Sequence, residues 1–296
     1  MANTIVKTSL PDYVATNNEE LLVKAMLGAK TLDYVEIMTN VKYKSALNYL
    51  DSTVVFGDGS ECGFAAQGTD TLSQRTIEVK PIKINKEWCD RDLISTYSNH
   101  QLLIAAGRET MPWEERFTQA NLDAIKAELE KTIWQGNDSL GIQGFIDLAG
   151  SETGVIDVTA DEPTAVIDAA YNALPEETLA KGDVVIFTSP AIFRAYVQAQ
   201  NSTCCSNTGV IDAAAGELNY VGDSRVKIVA VNGLNGQNVA IASHRTNFVY
   251  ATDVEGSENI FKLWYSDDAD MFRFKVLFNA GVQFKFPSEV VYVTVA

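Results

Sequence analysis

Ser52-Thr53-Val54-Val55-Phe56-Gly57-Asp58-Gly59 and Glu61-Cys62-Gly63-Phe64 run outward, Gln67-Gly68-Thr69-Asp70 turns, and Thr76-Ile77-Glu78-Val79 returns toward Trp88. This Gly-punctuated segment, 52–88, is expected to form a two-stranded arm. It holds few apolar residues, and an isolated two-stranded ribbon is marginal in water. The arm therefore needs a surface to lie on, and if that surface belongs to another copy of the chain, the protein is built to assemble. In the returning strand the apolar positions run Ile77, Val79 and then Ile82, Ile84, Trp88, so their parity flips at Pro81. Side chains alternate faces with period two, and a flip predicts a bulge or twist there. Twelve strand residues span ~40 Å at about 3.3 Å each, enough to cross a neighbouring subunit.

Charge along the arm is lopsided. Asp51, Asp58, Glu61 and Asp70 stand on the outgoing strand and tip, and Arg75, Lys80, Lys83 and Lys86 on the return, with Glu78 the exception. Two readings stay open: a solvated hairpin with cross-strand pairs worth about 0.2–1 kcal/mol each, or an acidic tip that meets a basic patch on a neighbour.

Outward from the arm, Thr110-Met111-Pro112 opens a long helix that stops at Gly136-Asn137. Pro sits in its first turn, and Glu114 and Glu115 face the positive end of the dipole. Trp113, Phe117, Ile125, Leu129 and Ile133 supply its apolar stripe, and about 24 residues at 1.5 Å give ~36 Å. Before the arm, a loose, polar N-terminal stretch leads to a short helix capped by Asn17 or Asn18, then strand, turn and strand between Leu32 and Leu50. Beyond Gly150 the texture is α/β: a helix from Asp161-Glu162-Pro163 to Ala173, a fully buried strand Val184–Thr188, and a helix from Ser189-Pro190 to about Gln200. Strands are expected at Arg225–Val231, Val239–Ala242, Asn247–Ala251, Ile260–Tyr265, Met271–Asn279, Val282–Phe286 and Val290–Val295, the last three as an antiparallel set. Gly233-Leu234-Asn235-Gly236 reads as a hairpin turn, and Asp267-Asp268-Ala269-Asp270 as a turn between strands.

The 296 residues, 46% of them apolar, suffice for a real core. No apolar run approaches the ~20 residues of a membrane span, and Met1-Ala2-Asn3-Thr4 lacks a secretory pattern. Cys62, Cys89, Cys204 and Cys205 form no Cys-x-x-Cys pair, which argues against structural disulfides. A net charge of −16 opposes direct nucleic-acid binding, which depends on Lys and Arg, yet suits a container that must not grip its cargo. Only His100 and His244 are present, 144 positions apart, so histidine metal sites and triads are not expected. Asp90-Arg91-Asp92 reads as a helix start rather than an acid–base pair, and no phosphate-binding Gly loop appears. No cofactor, metal or active site is expected.

The order of parts resembles the major capsid proteins of tailed bacteriophages, with the Hong Kong 97 type α+β fold. Gly136-Asn137-Asp138-Ser139-Leu140-Gly141-Ile142-Gln143-Gly144-Phe145 is similar to the family's glycine-rich exit from the spine helix. Asp183–Phe193 resembles the strand that feeds a helix in the axial A-domain. Phe272–Gly281 with Phe286-Pro287-Ser288-Glu289-Val290-Val291 is similar to the closing strands of the peripheral P-domain. The resemblance implies an N-terminal arm and start of the P-domain at 1–51, an E-loop at 52–88 and a P-domain at 89–150 with its spine helix at 111–135. It further implies an A-domain at 151–255 and closing P-domain strands at 256–296.

By the same resemblance, the chain self-assembles through pentamers and hexamers into an icosahedral shell around double-stranded DNA. It does so without specific DNA binding or membrane contact, with separate scaffold, portal and decoration proteins as partners, in the bacterial cytoplasm and then the virion. No long helical segment precedes the arm, so the scaffold is expected to be separate, and no Lys/Asn isopeptide pair is assigned. Phe56, Asp58, Glu61, Phe64, Asp70, Arg75, Lys80 and Lys83 are the candidate inter-subunit contacts. Phe56 and Phe64 are either anchors there or packed under their own hairpin. An encapsulin-like compartment and a tail or tube protein are the alternatives within structural classes, and a cytosolic α/β enzyme the alternative outside them.

Overall fold

A computed structural model of the chain describes residues 2–56, 68–108, 110–202, 216–253 and 261–296. Its elements are α1 (Ala2–Thr16), α2 (Asn18–Leu27), β1 (Glu36–Met38), β2 (Lys44–Thr53), β3 (Thr69–Glu78), β4 (Lys80–Cys89), α3 (Asp90–Ala105), α4 (Trp113–Gln135) and α5 (Phe145–Ser151). There follow β5 (Ile156–Ala160), α6 (Val166–Ala173), α7 (Glu176–Lys181), β6 (Val184–Thr188), α8 (Pro190–Ser202), β7 (Glu217–Tyr220), β8 (Asp223–Ala230), β9 (Val239–His244), β10 (Phe248–Asp253), β11 (Phe261–Ser266), β12 (Met271–Phe284) and β13 (Val291–Val295).

The strands form a five-stranded sheet, a six-stranded sheet and a separate two-stranded ribbon. In the five-stranded sheet β12 is the axis: β10 and β11 pair antiparallel along one edge, β4 along the other, and β1 adds parallel to β10. The six-stranded sheet is mixed, in the order β5-β13-β9-β6-β8-β7.

The long helix is where the sequence places it. α4 starts after Pro112, has Glu114 and Glu115 in its first turn, and ends at Gly136, whose φ of 71° no β-carbon-bearing residue adopts cheaply. Its inner face buries Leu122, Ile125, Leu129 and Ile133. β6 is buried at every position because each of its faces meets a different part of the core. Val185 and Phe187 turn toward α4 and the five-stranded sheet, while Val184 and Ile186 join α6 and α8 in a second cluster.

Phe187 also ties the sheets together. It lies 4.8 Å from Trp134 and 5.1 Å from Phe248 between ring centroids, and Phe145 packs on Phe248 and Phe284. Such aromatic pairs add about 0.5–1.5 kcal/mol beyond burial. Beside them, Trp134 Nε1 donates to Thr31 Oγ1 at 2.7 Å, and the Thr31 amide and hydroxyl both donate to the Glu130 carboxylate. This buried network pins the 30–34 turn to α4.

The N-terminal stretch is helical, because Leu10 and Val14 make an i,i+4 pair that buries completely or nearly so against its neighbours. Met271–Asn279 and Val282–Phe286 are not two strands: β12 runs unbroken through Ala280 and Gly281. The last strand, β13, does not join it, since it pairs with β5 and β9 in the six-stranded sheet. Gly233–Gly236 is no hairpin turn, as β6 lies between β8 and β9. Gly233 instead sits against the Glu130 carbonyl and Trp134, where a side chain would collide.

Candidate functional site

The ribbon pairs with neither larger sheet. β2 and β3 pair antiparallel through ten positions, from Lys44 opposite Glu78 to Thr53 opposite Thr69. At about 3.4 Å per residue the paired length is ~34 Å. Its root is anchored: Leu47, Ile77 and Val79 bury with Val41, Val249 and Ala251 in a small cluster of their own. Among the described residues farther out, Leu72 is 76% exposed, and just past the last pair Val54 is 72% and Phe56 96% exposed.

The arm's boundaries therefore differ from the expected 52–88. The ribbon begins at Lys44, and the return strand leaves it after Glu78 to enter the five-stranded sheet as β4. The parity flip is real, but its pivot is Val79, whose amide donates to the Tyr43 carbonyl at 2.9 Å. Gly281 of β12 lies directly against the Glu78 carbonyl at this crossing.

Relocating β4 redistributes the candidate contacts. Lys80 and Lys83 belong to the body sheet, where Lys80 pairs with Glu78 and Lys83 is exposed opposite Leu277. Lys44 also reaches Glu78 at 2.9 Å, and hydrogen bonds from Lys80 and Lys44 hold that carboxyl below its ordinary range. Arg75 is not offered outward, because it pairs with Glu152 just past α5 and tethers the ribbon to its own body. Asp70 stands exposed in the ribbon opposite Ser52, and Phe56 lies just beyond the last pair. Asp58, Glu61 and Phe64 lie outside the described residues. The segment 44–78 carries five carboxylates against two cations, so the ribbon is acidic rather than split by strand.

A second feature lies on α3 and α4. Their packing leaves a largely apolar cavity of about 290 Å³, lined by His100, Leu103, Trp113, Arg116, Phe117 and Ala120, among others. Two of the lining rings, Trp113 and Phe117, stack with centroids 5.3 Å apart. His100 is only 4% exposed, and among the described residues neither ring nitrogen has a hydrogen-bond partner. Leu102 and Met111 are exposed in the same helices and their connection. Sequence reasoning passed over His100 because it has no acidic or cysteine companion; its position opposite Trp113 and Phe117 depends on how the helices pack.

Asp90 opens α3 as expected, but through charge rather than a side-chain cap, and its Oδ2 pairs with Lys7 at 3.2 Å. His244 hydrogen-bonds Thr246 locally. Among the described residues no three His, Cys, Asp or Glu side chains converge on a metal position, and no helix is long and apolar enough to cross a membrane. Cys89 is a free thiol. The geometry offers surfaces for association.

No family model and no curated protein matches the sequence. Solved structures do. The chain is similar to a protein of the satellite phage P4 procapsid, at a TM-score of 0.64 and 10% identity, covering 94% of this chain and 91% of that one. It is similar to the capsid of Myoviridae phage XM1 (TM-score 0.55, 14% identity, 93% and 92% covered) and to a virus-like particle from Pyrococcus furiosus (0.53, 13%, 92% and 95%). The shared feature is the mixed α+β fold of the Hong Kong 97 type.

Proposed function

We propose that this chain, which has the Hong Kong 97 type fold, is a major capsid protein that assembles with copies of itself into an icosahedral shell enclosing phage double-stranded DNA. The observation that supports the reading is a likeness to solved capsid and procapsid structures that covers 94% and 93% of this chain. In this reading the ribbon is the E-loop and α4 the spine helix of a P-domain built on the five-stranded sheet. The six-stranded sheet with α6 to α8 is the A-domain, meeting its equivalents around five-fold and six-fold axes. β13 belongs to that lobe although it closes the chain.

Assembly suits the energetics. Many modest contacts become strong when a closed symmetry satisfies all of them at once. Val54, Val55, Phe56 and Leu72 are exposed among the described residues and would gain a cover from a neighbour. A net charge of −16 suits enclosing DNA without gripping it, since the chain offers few cations to displace counterions. The role is structural and needs no catalytic site or cofactor. Separate scaffold, portal and decoration proteins complete the expected partners, with assembly in the bacterial cytoplasm and residence in the virion.

A second reading, an encapsulin-like compartment, is favoured by the similarity to the Pyrococcus particle. Expression of the chain alone and with its neighbouring genes, followed by light scattering and negative-stain microscopy, tests both. Closed shells are expected; nucleic acid inside supports the capsid reading and an enzyme cargo the compartment. A monomer under every condition would refute both, and open tubes would point to a tail protein.

A further inference from the structure

We propose that the open face of the five-stranded sheet, around Lys83, Lys262 and Lys275, is a docking surface for a short acidic segment of a separate polypeptide. The proposal goes beyond the shell reading and does not depend on it. β12 alternates along this stretch: Phe272, Phe274, Val276 and Phe278 are buried in the core, so Arg273 and Lys275 stand on the other face. Residues directly opposite in an antiparallel pair share a face, which adds Lys262 and Trp264 from β11 and Glu87 from β4, with Lys83 one step along. Four cations thus stand against one carboxylate, and that carboxylate, Glu87, pairs with Arg273 at 3.1 Å.

The three lysines break a local rule. Lys262 and Lys275 are direct cross-strand partners, and like charges in that position destabilise a sheet. Among the described residues neither they nor Lys83 form an ion pair, although the chain carries 39 acidic residues against 23 basic ones. Elsewhere Lys44, Lys181, Lys227 and Lys285 all reach a carboxylate. In so acidic a chain, lysines held together and away from carboxylates bring the fold no internal gain, which marks a functional surface. An anionic partner supplies the gain by turning their mutual repulsion into attraction.

Size and surroundings select the partner. Neighbouring strands lie about 4.8 Å apart, so β11, β12 and β4 spread the lysines over ~10 Å, room for about two or three carboxylates. Lys83 stands diagonal to Lys275, ~7–8 Å from it. A DNA duplex, with a charge every ~1.7 Å, would run past this area onto a chain of net charge −16. The body of a second copy would bring the same net charge with it, against the exposed Asp267 and Asp268 at the end of the β11–β12 hairpin. A short segment brings its carboxylates alone. Trp264, partly buried opposite Arg273, gives an aliphatic side chain of that segment a surface to rest on, so the fitting sequence alternates acidic and apolar residues.

The test titrates the full chain into a fluorescein-labelled peptide that alternates glutamate with leucine and follows anisotropy. The same peptide with glutamine in place of glutamate and a labelled DNA duplex are the comparisons. Saturable binding of the acidic peptide that weakens with salt is expected, with neither comparison binding as tightly. Lys262→Glu should weaken it about tenfold or more, because like charges brought together across an interface are costly. The same substitution should raise the urea midpoint of the free chain, since a like cross-strand pair becomes an opposite one. Binding and stability moving in opposite directions separate a docking surface from a structural role. Lys83→Glu serves as the second variant if Lys262→Glu fails to fold. Equal affinity in variant and wild type, or tighter binding of the duplex, overturns the proposal. So does loss of self-association by the chain alone when these lysines are reversed, which assigns the face to contacts between copies. Particle formation by the wild-type chain tests the shell reading separately.

Discussion

Gly281 of β12 lies directly beneath the carbonyl of Glu78, where the chain leaves the ribbon and becomes a sheet strand. The two segments pass so closely that a β-carbon at position 281 has no space, and the obstacle is backbone, which cannot rotate aside as a flexible side chain could. This contact sets the angle between ribbon and body. Gly281→Ala is therefore expected to destabilise the fold by about 1–3 kcal/mol, the range for overpacking a tight site. Urea unfolding would show it as a lower midpoint with an unchanged slope. A wild-type midpoint would mean that the crossing yields without cost.

The same glycine explains where the sequence misleads. Ala280-Gly281 looks like a strand break, and only the crossing of Glu78 reveals why glycine is needed inside an unbroken β12. The ribbon's hinge is legible because side-chain parity is a local property, so the flip after Val79 shows in the order of residues. Its boundaries are not, since β4 alternates as a ribbon strand would, and only pairing with β12 moves it to the body. α4 is legible at both ends because Pro112 and Gly136 act on their own backbones. The sheet membership of β13 depends on partners some 50 and 130 positions earlier and leaves no local trace. Of the candidate contacts, Phe56 and Asp70 are found exposed on the ribbon, while Arg75 and Lys80 are paired within the chain. The burial of His100 beside Trp113 and Phe117 has no sequence signature at all.

The Glu130 network predicts an unusual pH dependence. Burial raises the Glu130 carboxyl above its ordinary value of 4.5, against the opposing pull of its hydrogen bonds from Thr31. A folded-state value above the unfolded one means that this group's contribution is fully present below pH ~4.5 and is lost as pH rises through the folded value. Glu130→Gln removes the titration but turns an amide nitrogen toward one of the Thr31 donors. The variant should be less stable than wild type by about 1 kcal/mol at the acidic end, and the gap should narrow toward neutral pH. Denaturant midpoints from pH 4 to 7.5 measure it, and a gap that widens with rising pH would contradict the assignment.

Arg75 and Glu152 fasten the ribbon to the body through a pair in which each side chain is only about a fifth exposed. Arg75→Ala should lower global stability by about 1 kcal/mol or less, as expected for an incompletely buried ion pair. Its larger effect should be local. Limited proteolysis of the unassembled chain is expected to cut within 44–78 several-fold faster, because local opening rather than global unfolding governs access there. Equal cleavage rates in variant and wild type would show that the buried Leu47, Ile77 and Val79 hold the ribbon unaided.

Folding and assembly can be separated at the outer ribbon. Asn48 and Gln74 are directly paired, so replacing residues 49–73 by an Asn-Gly turn leaves a short hairpin with its register intact. The shortened chain keeps Leu47, Ile77 and Val79, and with them the root cluster against Val249 and Ala251. What it loses is the unsupported outer ribbon with its exposed valines, Leu72 and Phe56. Because those residues bury little in the single chain, their removal should shift the melting temperature by no more than about 4 °C, which for a domain of this size corresponds to roughly 1–2 kcal/mol. If the ribbon's partner is a neighbouring copy, the same deletion should abolish closed particles in light scattering and microscopy. Normal shells from this variant would show that the contacts holding the assembly together lie on the body, and would remove the ribbon from the account.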